Sequence, residues 1–141
     1  MKAGNVLIVD DEPGMVELLS VNLRGSGYDV EVAFDGEDAL EKLRGAKRKA
    51  DVVILDVMLP KINGYEVARR LKADDKTSGI PIIMLTAKDQ PLDKVMGLID
   101  CEADYYFTKP LNMSDFLIHV MKVSEKHRRA STNNEAAPLD K

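Results

Sequence analysis

Carboxylates, a hydroxyl group and an ammonium group stand where the short apolar runs of this sequence end. The set comprises Asp10, Asp11, Asp56, Thr86 and Lys109. Three carboxylates packed close together repel one another strongly unless protons or a cation neutralise them. A hard divalent ion such as Mg²⁺ prefers oxygen ligands and is usually held by one or two carboxylates together with phosphate oxygens. These residue types are therefore typical of a site that binds Mg²⁺ and transfers a phosphoryl group.

Phosphoryl transfer requires an in-line nucleophile and neutralisation of the charge on the equatorial oxygens. Asp56 could attack as a carboxylate and form an acyl phosphate. The metal, the Thr86 hydroxyl and the Lys109 ammonium could each take one phosphoryl oxygen. Each residue also has an ordinary explanation: Asp10, Asp11 and Thr86 could cap helices, Asp56 could be a turn residue, and Lys109 could be a solvated charge. Their convergence at one place in the fold would favour the functional interpretation.

A parallel sheet would bring these residues together. Short apolar runs rich in β-branched residues alternate with segments of helical period, which indicates βαβ units. The predicted strands span residues 5–9, 29–33, 52–55, 80–85 and 104–107. In an open doubly wound sheet, ligands bind outside the carboxyl ends of the strands, near the point where strand order reverses. All the candidate residues fall at that edge.

Five helices are predicted from apolar residues at helical spacing. Their stripes are Val16-Leu19-Leu23 after Pro13, Ala39-Leu43-Ala46, Gly64-Val67-Ala68-Leu71, Leu92-Val95-Met96-Ile99 and Met113-Phe116-Leu117-Val120. From Glu125 onward the sequence is polar and has no apolar stripe, which predicts a frayed helix end followed by disorder. We therefore expect one domain over residues 1–124 and a disordered tail, or the start of a linker, over residues 125–141.

The composition of the chain argues against several classes of protein, including nucleic-acid-binding, disulfide-bonded and membrane-spanning proteins. The 141 residues carry a net charge of −4, which gives no electrostatic case for contact with nucleic acid or an anionic membrane. The single cysteine, Cys101, has no partner for a disulfide and no companions at zinc-ligand spacing. No apolar run is long enough to span a bilayer, and the first residues lack the apolar stretch of a signal peptide. A cytoplasmic protein is expected.

The candidate residues and their neighbours resemble the receiver domain of two-component response regulators, whose prototype is the chemotaxis response regulator. The matching segments are Leu7-Ile8-Val9-Asp10-Asp11-Glu12, Ile54-Leu55-Asp56-Val57-Met58-Leu59-Pro60, Asn63-Gly64, Leu85-Thr86-Ala87 and Phe107-Thr108-Lys109-Pro110. Their order and spacing are highly specific together, and the resemblance extends over residues 4–124. It implies a flavodoxin-like α/β fold with a doubly wound five-stranded parallel sheet, strand order 2-1-3-4-5 and five helices.

The resemblance implies roles for the residues around the acceptor. Asp56 would be phosphorylated by a histidine kinase or a phosphotransfer protein. Asp11 and Asp56 would bind Mg²⁺ directly, Asp10 would act largely through coordinated water, and the backbone carbonyl of Met58 would be a further ligand. Lys109 would pair with the phosphoryl group, and the peptide bond between Lys109 and Pro110 would be cis.

The resemblance also implies a switch. A phosphoryl oxygen would draw the Thr86 hydroxyl toward Asp56, and the ring of Tyr106 would fill the vacated space. The changed surface would comprise the fourth predicted helix, the fifth strand and the fifth helix, where an unknown protein target could bind. The chain departs from the common family pattern at Glu102, in place of glycine, and at Tyr105, in place of an acidic residue. The second change disfavours one receiver-dimer mode, while a phosphorylation-dependent dimer stays open.

Two other interpretations compete with a signalling switch that catalyses only its own phosphorylation and dephosphorylation. Aspartate-dependent phosphohydrolases use similar groups, but they typically carry a second Asp two residues beyond the nucleophile, where this chain has Met58. A cap segment to hold a substrate is also absent from the sequence. Alternatively, the chain is the receiver portion of a longer regulator with a DNA-binding or cyclase output domain, and the polar tail is its linker.

Overall fold

The computed structural model describes residues 3–45, 49–87 and 103–136, with side chains as far as residue 130. Strands and helices alternate along this part of the chain. In order they are β1 (Gly4–Val9), α1 (Pro13–Gly25), β2 (Tyr28–Ala33), α2 (Gly36–Gly45), β3 (Val52–Asp56), α3 (Gly64–Ala73), β4 (Ile82–Ala87), β5 (Tyr105–Lys109) and α4 (Met113–Ala136). The helix predicted from Leu92 to Ile99 and the departure at Glu102 lie outside the described residues.

The five strands form one parallel sheet in the order β2-β1-β3-β4-β5, as predicted. Strands β1, β3 and β4 are almost entirely buried, which explains their nearly continuous apolar sequences. The chain runs from β1 to β2 on one side and then returns to β3 on the other side of β1. Strand order therefore reverses between β1 and β3, which places the expected ligand crevice between their carboxyl ends.

A separate apolar core covers each face of the sheet. Side chains of β1 alternate between them, so that Leu7 and Val9 enter the core under α2 and α3, while Val6 and Ile8 enter the core under α1 and α4. Burying one such side chain fully stabilises the fold by about 1.5–3 kcal/mol. The two cores fix the sheet from both sides, and its carboxyl edge becomes a rigid base for the loops.

Strands β4 and β5 differ by up to two residues from the sequence prediction, and the other three strands by one residue. Strand β4 starts at Ile82, two residues later than expected, because Pro81 has no backbone N–H to donate to the sheet. The same strand continues through Thr86 to Ala87, and β5 continues to Lys109. Thr86 and Lys109 are therefore members of the sheet, and the strand backbone fixes the position of each.

The last helix is longer than predicted. The frayed end and disorder expected from Glu125 are replaced by continuous helix through Ala136. Polar contacts with the amino edge of the sheet compensate for the missing apolar stripe: Nδ1 of His127 lies 3.3 Å from Oδ1 of Asp51, and Nη1 of Arg128 donates to the Ala3 carbonyl at 2.6 Å. The domain boundary at residue 124 stays a prediction. In the described part of the chain, no helix is both long and apolar enough to cross a membrane.

Candidate functional site

The three predicted carboxylates meet at the carboxyl edge of the sheet. Asp10 follows β1 directly, and Asp56 is the last residue of the neighbouring strand β3. One carboxylate oxygen of each of Asp10, Asp11 and Asp56 lies within 4.8 Å of the other two. Asp10 and Asp56 are buried and Asp11 is exposed. The cluster is therefore accessible to solvent on the Asp11 side.

The carboxyl group of Asp10 is only half satisfied. Its Oδ1 accepts a hydrogen bond from the Glu12 backbone at 2.9 Å, whereas its Oδ2 is buried with no hydrogen-bond partner among the described residues. The pKa of Asp10 is raised to about 6. Burial is the largest cause, repulsion from Asp56 also raises the pKa, and the hydrogen bond from Glu12 partly opposes them. A buried acceptor without a donor is costly. A bound cation, or water on that cation, would satisfy Oδ2.

Both oxygens of Asp56 have donors. Oδ1 accepts from the backbone N–H of Met58 at 3.0 Å, and Oδ2 accepts from Nζ of Lys109 at 3.1 Å. The turn after Asp56 is tight, because a Cβ at Gly64 would lie only 2.3 Å from the Asp56 carbonyl oxygen. Glycine at position 64 lets α3 begin directly against the end of β3, and this holds the loop after Asp56 close to the sheet.

Lys109 reaches into the carboxylate cluster from β5. Its Nζ also lies 3.8 Å from Oδ2 of Asp10, so one ammonium group faces two buried carboxylates. The peptide bond between Lys109 and Pro110 is cis, as predicted. Lys109 is paired with Ala87 across the sheet, at the same level as the end of β4. The arrangement can neutralise only part of the negative charge of three carboxylates.

The predicted switch residues differ in exposure. Thr86 is buried in β4, and its Oγ1 donates to the Phe107 carbonyl at 3.5 Å, the long limit for such a bond. Tyr106 lies on the edge strand β5 and is 65% exposed. Met58 has an exposed side chain in the loop after β3. The structure thus brings Asp10, Asp11, Asp56 and Lys109 together, with Thr86 on the adjacent strand and Tyr106 on the outer surface.

The helix-cap explanation for the first two acids is not supported. The N-cap of α1 is Glu12, and no side chain caps that helix. Asp10 instead binds the Glu12 backbone, and its own N–H donates to the Ala33 carbonyl at 3.1 Å. These two backbone contacts fix the residue that begins the site.

Sequence reasoning missed one residue that joins strands of the sheet to a helix. Oδ2 of Asp104 accepts from the Ile82 backbone at 2.7 Å and from Nζ of Lys72 at 2.9 Å. Asp104 thereby joins the starts of β4 and β5 to α3. No local pattern signals these contacts, because the partners are 22 and 32 residues away in sequence.

The two histidines lie outside the carboxylate cluster and make packing and ion-pair contacts. The His119 ring lies edge-on between Tyr105 and Phe107, with ring centroids 4.5 and 5.2 Å away. His127 pairs with Asp51 at the opposite edge of the sheet from the carboxylates. The tyrosine that replaces an acidic residue in the family pattern, Tyr105, is therefore a packing residue between β5 and α4.

Several known regulatory proteins are similar to this chain in sequence. Over 130 residues it is 44% identical to the alkaline phosphatase synthesis transcriptional regulatory protein PhoP of Bacillus subtilis, covering 92% of this chain and 52% of that protein. Over 115 residues it is 44% identical to the DNA-binding response regulator MtrA of Mycolicibacterium smegmatis, covering 82% of this chain and 48% of that protein. The chain spans about half the length of the curated relatives it matches.

Solved structures share the fold. The chemotaxis response regulator CheY4 of Vibrio cholerae superposes with a TM-score of 0.76 at 31% identity, over 85% of this chain and 98% of that one. The signal receiver domain of a histidine kinase from Syntrophus aciditrophicus gives a TM-score of 0.81 at 32% identity, over 87% and 91% of the two chains. Residues 6–121 match the family described as the response regulator receiver domain. The chain therefore belongs to the receiver domain family of two-component response regulators.

Proposed function

We propose that this receiver domain takes a phosphoryl group on Asp56 from a histidine kinase or a phosphotransfer protein. The observation that carries the proposal is the environment of the Asp56 carboxylate. It is buried at the carboxyl edge of a central strand, 3.1 Å from the Lys109 ammonium and within 4.8 Å of two further carboxylates. A buried carboxylate with one cationic partner and an excess of negative neighbours suits transfer of an anionic group only with a divalent ion present.

The chemistry at Asp56 is an in-line displacement. One carboxylate oxygen attacks phosphorus, the bond from phosphorus to the donor's histidine nitrogen breaks, and an acyl phosphate forms. The Met58 N–H fixes Oδ1, and the Lys109 ammonium fixes Oδ2. The carboxylate is therefore held in one orientation before the donor arrives, which lowers the entropic part of the barrier.

Asp10, Asp11 and Asp56, together with the backbone carbonyl of Met58, would hold Mg²⁺, which supplies charge neutralisation for the transferring group when bound. Oδ2 of Asp10, which is buried and has no hydrogen-bond partner among the described residues, supports this assignment. Asp11 is the exposed member of the cluster and lies where an ion would enter from solvent. All the candidate ligands are oxygens, as Mg²⁺ prefers.

Lys109 and Thr86 would each bind a phosphoryl oxygen. Lys109 already lies 3.1 Å from Asp56 and needs little movement to follow the new phosphoryl group. The Thr86 hydroxyl has only a 3.5 Å bond to the Phe107 carbonyl to give up, so moving it toward Asp56 loses little. The exposed Tyr106 ring could then turn inward, and a downstream protein would bind the altered face around β5 and α4.

The output of this reaction is a changed surface, and the domain acts as a signalling switch. A second candidate is the receiver portion of a longer regulator, because the match covers 92% of this chain but only 52% of PhoP. PhoP is a transcriptional regulatory protein and MtrA is DNA-binding by name. With a net charge of −4, the receiver would act through partner proteins, a dimer or an attached domain and would not itself contact DNA.

Labelling with acetyl phosphate tests the acceptor. With Mg²⁺ present, the wild-type protein should gain the mass of one phosphoryl group, and Asp56→Asn should abolish this gain because the amide cannot form the acyl phosphate. Asp75→Asn, an exposed acid after the far end of α3, should be labelled normally. Undiminished labelling of Asp56→Asn would refute the assignment. Sustained hydrolysis of a phosphomonoester would instead favour the phosphohydrolase interpretation.

A further inference from the structure

The loop of residues 57–63, the β3–α3 loop, controls two features of the site. Its Met58 N–H donates to Oδ1 of Asp56 at 3.0 Å, so the loop sets the orientation of the acceptor. The same residue carries the backbone carbonyl assigned to Mg²⁺ above. A displacement of this loop would therefore alter both the carboxylate and a neutral ligand at once.

Backbone hydrogen bonds close the loop at its two ends. The N–H groups of Leu59 and Gly64 both donate to the Val57 carbonyl, at 3.1 and 2.9 Å. Between these bonds the backbone passes through Lys61 with a positive φ of 65°, which is uncommon for a residue with a side chain. Something outside the loop must hold its middle in that conformation.

The middle of the loop rests on the start of α2. Ile62 is partly buried against the core, and the Ile62 side chain lies directly over Gly36. A Cβ built on Gly36 would be 2.7 Å from Cγ1 of Ile62 and 2.5 Å from Cγ2 of Val67. The neighbouring ion pair adds a weaker tie, since Nζ of Lys61 lies 3.7 Å from Oδ2 of Asp35.

The lack of space for a side chain, and not the backbone conformation, explains why residue 36 is glycine. Gly36 is buried within α2 and is not among the glycines with positive φ, so alanine would fit its backbone. The contacts are what exclude a side chain. Val67 is fully buried and β-branched, and α3 cannot retreat, because Gly64 already lies against the Asp56 carbonyl. Ile62, and the loop that carries it, is the part that must yield.

We propose that Gly36 is a positioning residue for the magnesium site. Because residue 36 has no side chain, the Ile62 side chain packs directly over it. This contact sets the position of the β3–α3 loop at Asp56 and Met58. The proposal rests on the proposed function. It adds a requirement that lies on α2, an element that contributes no ligand. Gly36 touches neither the metal ligands nor the phosphoryl group and acts only through Ile62.

The test compares two glycine-to-alanine variants on the same helix. Gly36→Ala should raise the dissociation constant for Mg²⁺ by about tenfold, the lower end of the loss seen when groups that support metal ligands are changed. Gly45→Ala, at the other end of α2 with nothing within 4 Å of its Cβ position, should leave that constant unchanged. Titration of backbone amide signals by Mg²⁺ measures both constants, without any phosphodonor.

A second variant covers the case in which Gly36→Ala does not fold. Ile62→Ala removes the contact without introducing a clash, and it should weaken Mg²⁺ binding in the same direction. Val30→Ala, which trims a partly buried side chain of the other core, should not weaken it. If Gly36→Ala and Ile62→Ala both bind Mg²⁺ as tightly as their controls, the proposal is overturned while the proposed function stands. If the wild-type protein itself fails to bind Mg²⁺, both are overturned.

Discussion

At the scale of single residues, Asp10 shows how the fold tolerates an unfavourable group at the site. The Asp10 side chain is inaccessible to solvent, one oxygen has no hydrogen-bond partner among the described residues, and its pKa is raised to about 6. A residue chosen for stability alone would not be acidic at this position. A cation bound to the cluster would relieve this cost, and the relief would strengthen its binding.

Without Mg²⁺, this residue should make stability fall as pH rises. Folded Asp10 keeps its proton up to about pH 6, whereas an unfolded chain releases it near 3.8, so the folded state binds more protons between these values. The contribution of Asp10 to stability is present below 3.8 and is lost as pH rises through about 6. Urea denaturation in a chelating buffer, at several pH values across that range, measures the effect.

The control is Asp10→Asn, which cannot titrate. Other acids, such as the half-buried Asp35, whose pKa is lowered by the Asp38 backbone N–H and by Lys61, contribute in the opposite direction and are present in both proteins. The difference in unfolding free energy between wild type and variant therefore isolates Asp10. A difference that does not change with pH would contradict the raised pKa.

At the scale of elements, polar caps fix where the helices begin beside the site. Asn63 caps α3 by accepting the Glu66 N–H at 3.0 Å, and Asn112 accepts the Asp115 N–H at 3.1 Å before α4. Asp35 accepts the Asp38 N–H at 2.8 Å at the start of α2. These helices start at the loops that face the carboxylates, so each cap also fixes the end of a loop.

Asn63→Ala should lower the free energy of unfolding by about 1 kcal/mol, because the Glu66 N–H loses its acceptor at the start of α3. Asn22→Ala is the matched control. Asn22 lies inside α1 with its amide bonded to the Leu18 carbonyl at an exposed position, and alanine favours a helix interior. Equal losses for the two variants, measured by chemical denaturation, would show that the cap does not stabilise α3.

Sequence reasoning located the strands and the carboxylates because both depend on local patterns. Runs such as Val52 to Leu55 signal a buried strand, and the order of a doubly wound sheet then brings Asp10 and Asp56 to one edge. Strands β4 and β5 end two residues later than predicted, because the pattern of apolar residues does not show which backbone N–H groups form hydrogen bonds. Strand β4 cannot start before Ile82, because Pro81 has no backbone N–H group to donate to the sheet.

Contacts between distant segments could not be predicted in this way. The packing contact between Gly36 and Ile62 joins α2 to the β3–α3 loop, whereas the sequence shows only a glycine near the start of a helix. The continuation of α4 past Glu125 depends on His127 meeting Asp51, 76 residues earlier, and on the pair between Glu125 and Arg129. Patterns of apolar residues contain no information about such polar contacts.

At the scale of the whole molecule, the two cores hold the sheet rigid while three carboxylates gather at its edge. Mg²⁺ at millimolar concentration should raise the melting temperature, because an ion that binds only the folded state stabilises it by mass action. Relief of the repulsion between Asp10 and Asp56 acts in the same direction. Thermal denaturation with and without Mg²⁺ measures the shift.

Asp11→Asn should reduce this shift with little effect on the metal-free protein, since Asp11 is exposed and its substitution disturbs no core contact. Asp75→Asn again serves as the control and should keep the full response. A melting temperature that Mg²⁺ leaves unmoved in the wild-type protein would count against the metal site as a whole.

The contact between Arg128 and the Ala3 carbonyl places the two terminal parts of the chain side by side. Arg128 lies 15 residues after Met113, about 23 Å along α4 from the carboxyl edge, so this meeting point is remote from Asp56. A fluorophore or a surface tether attached beside Ala3 or Arg128 would therefore leave the carboxyl edge of the sheet accessible. The same proximity would allow a circularly permuted domain in which a short peptide joins Arg128 to Ala3 and the chain opens in an exposed loop.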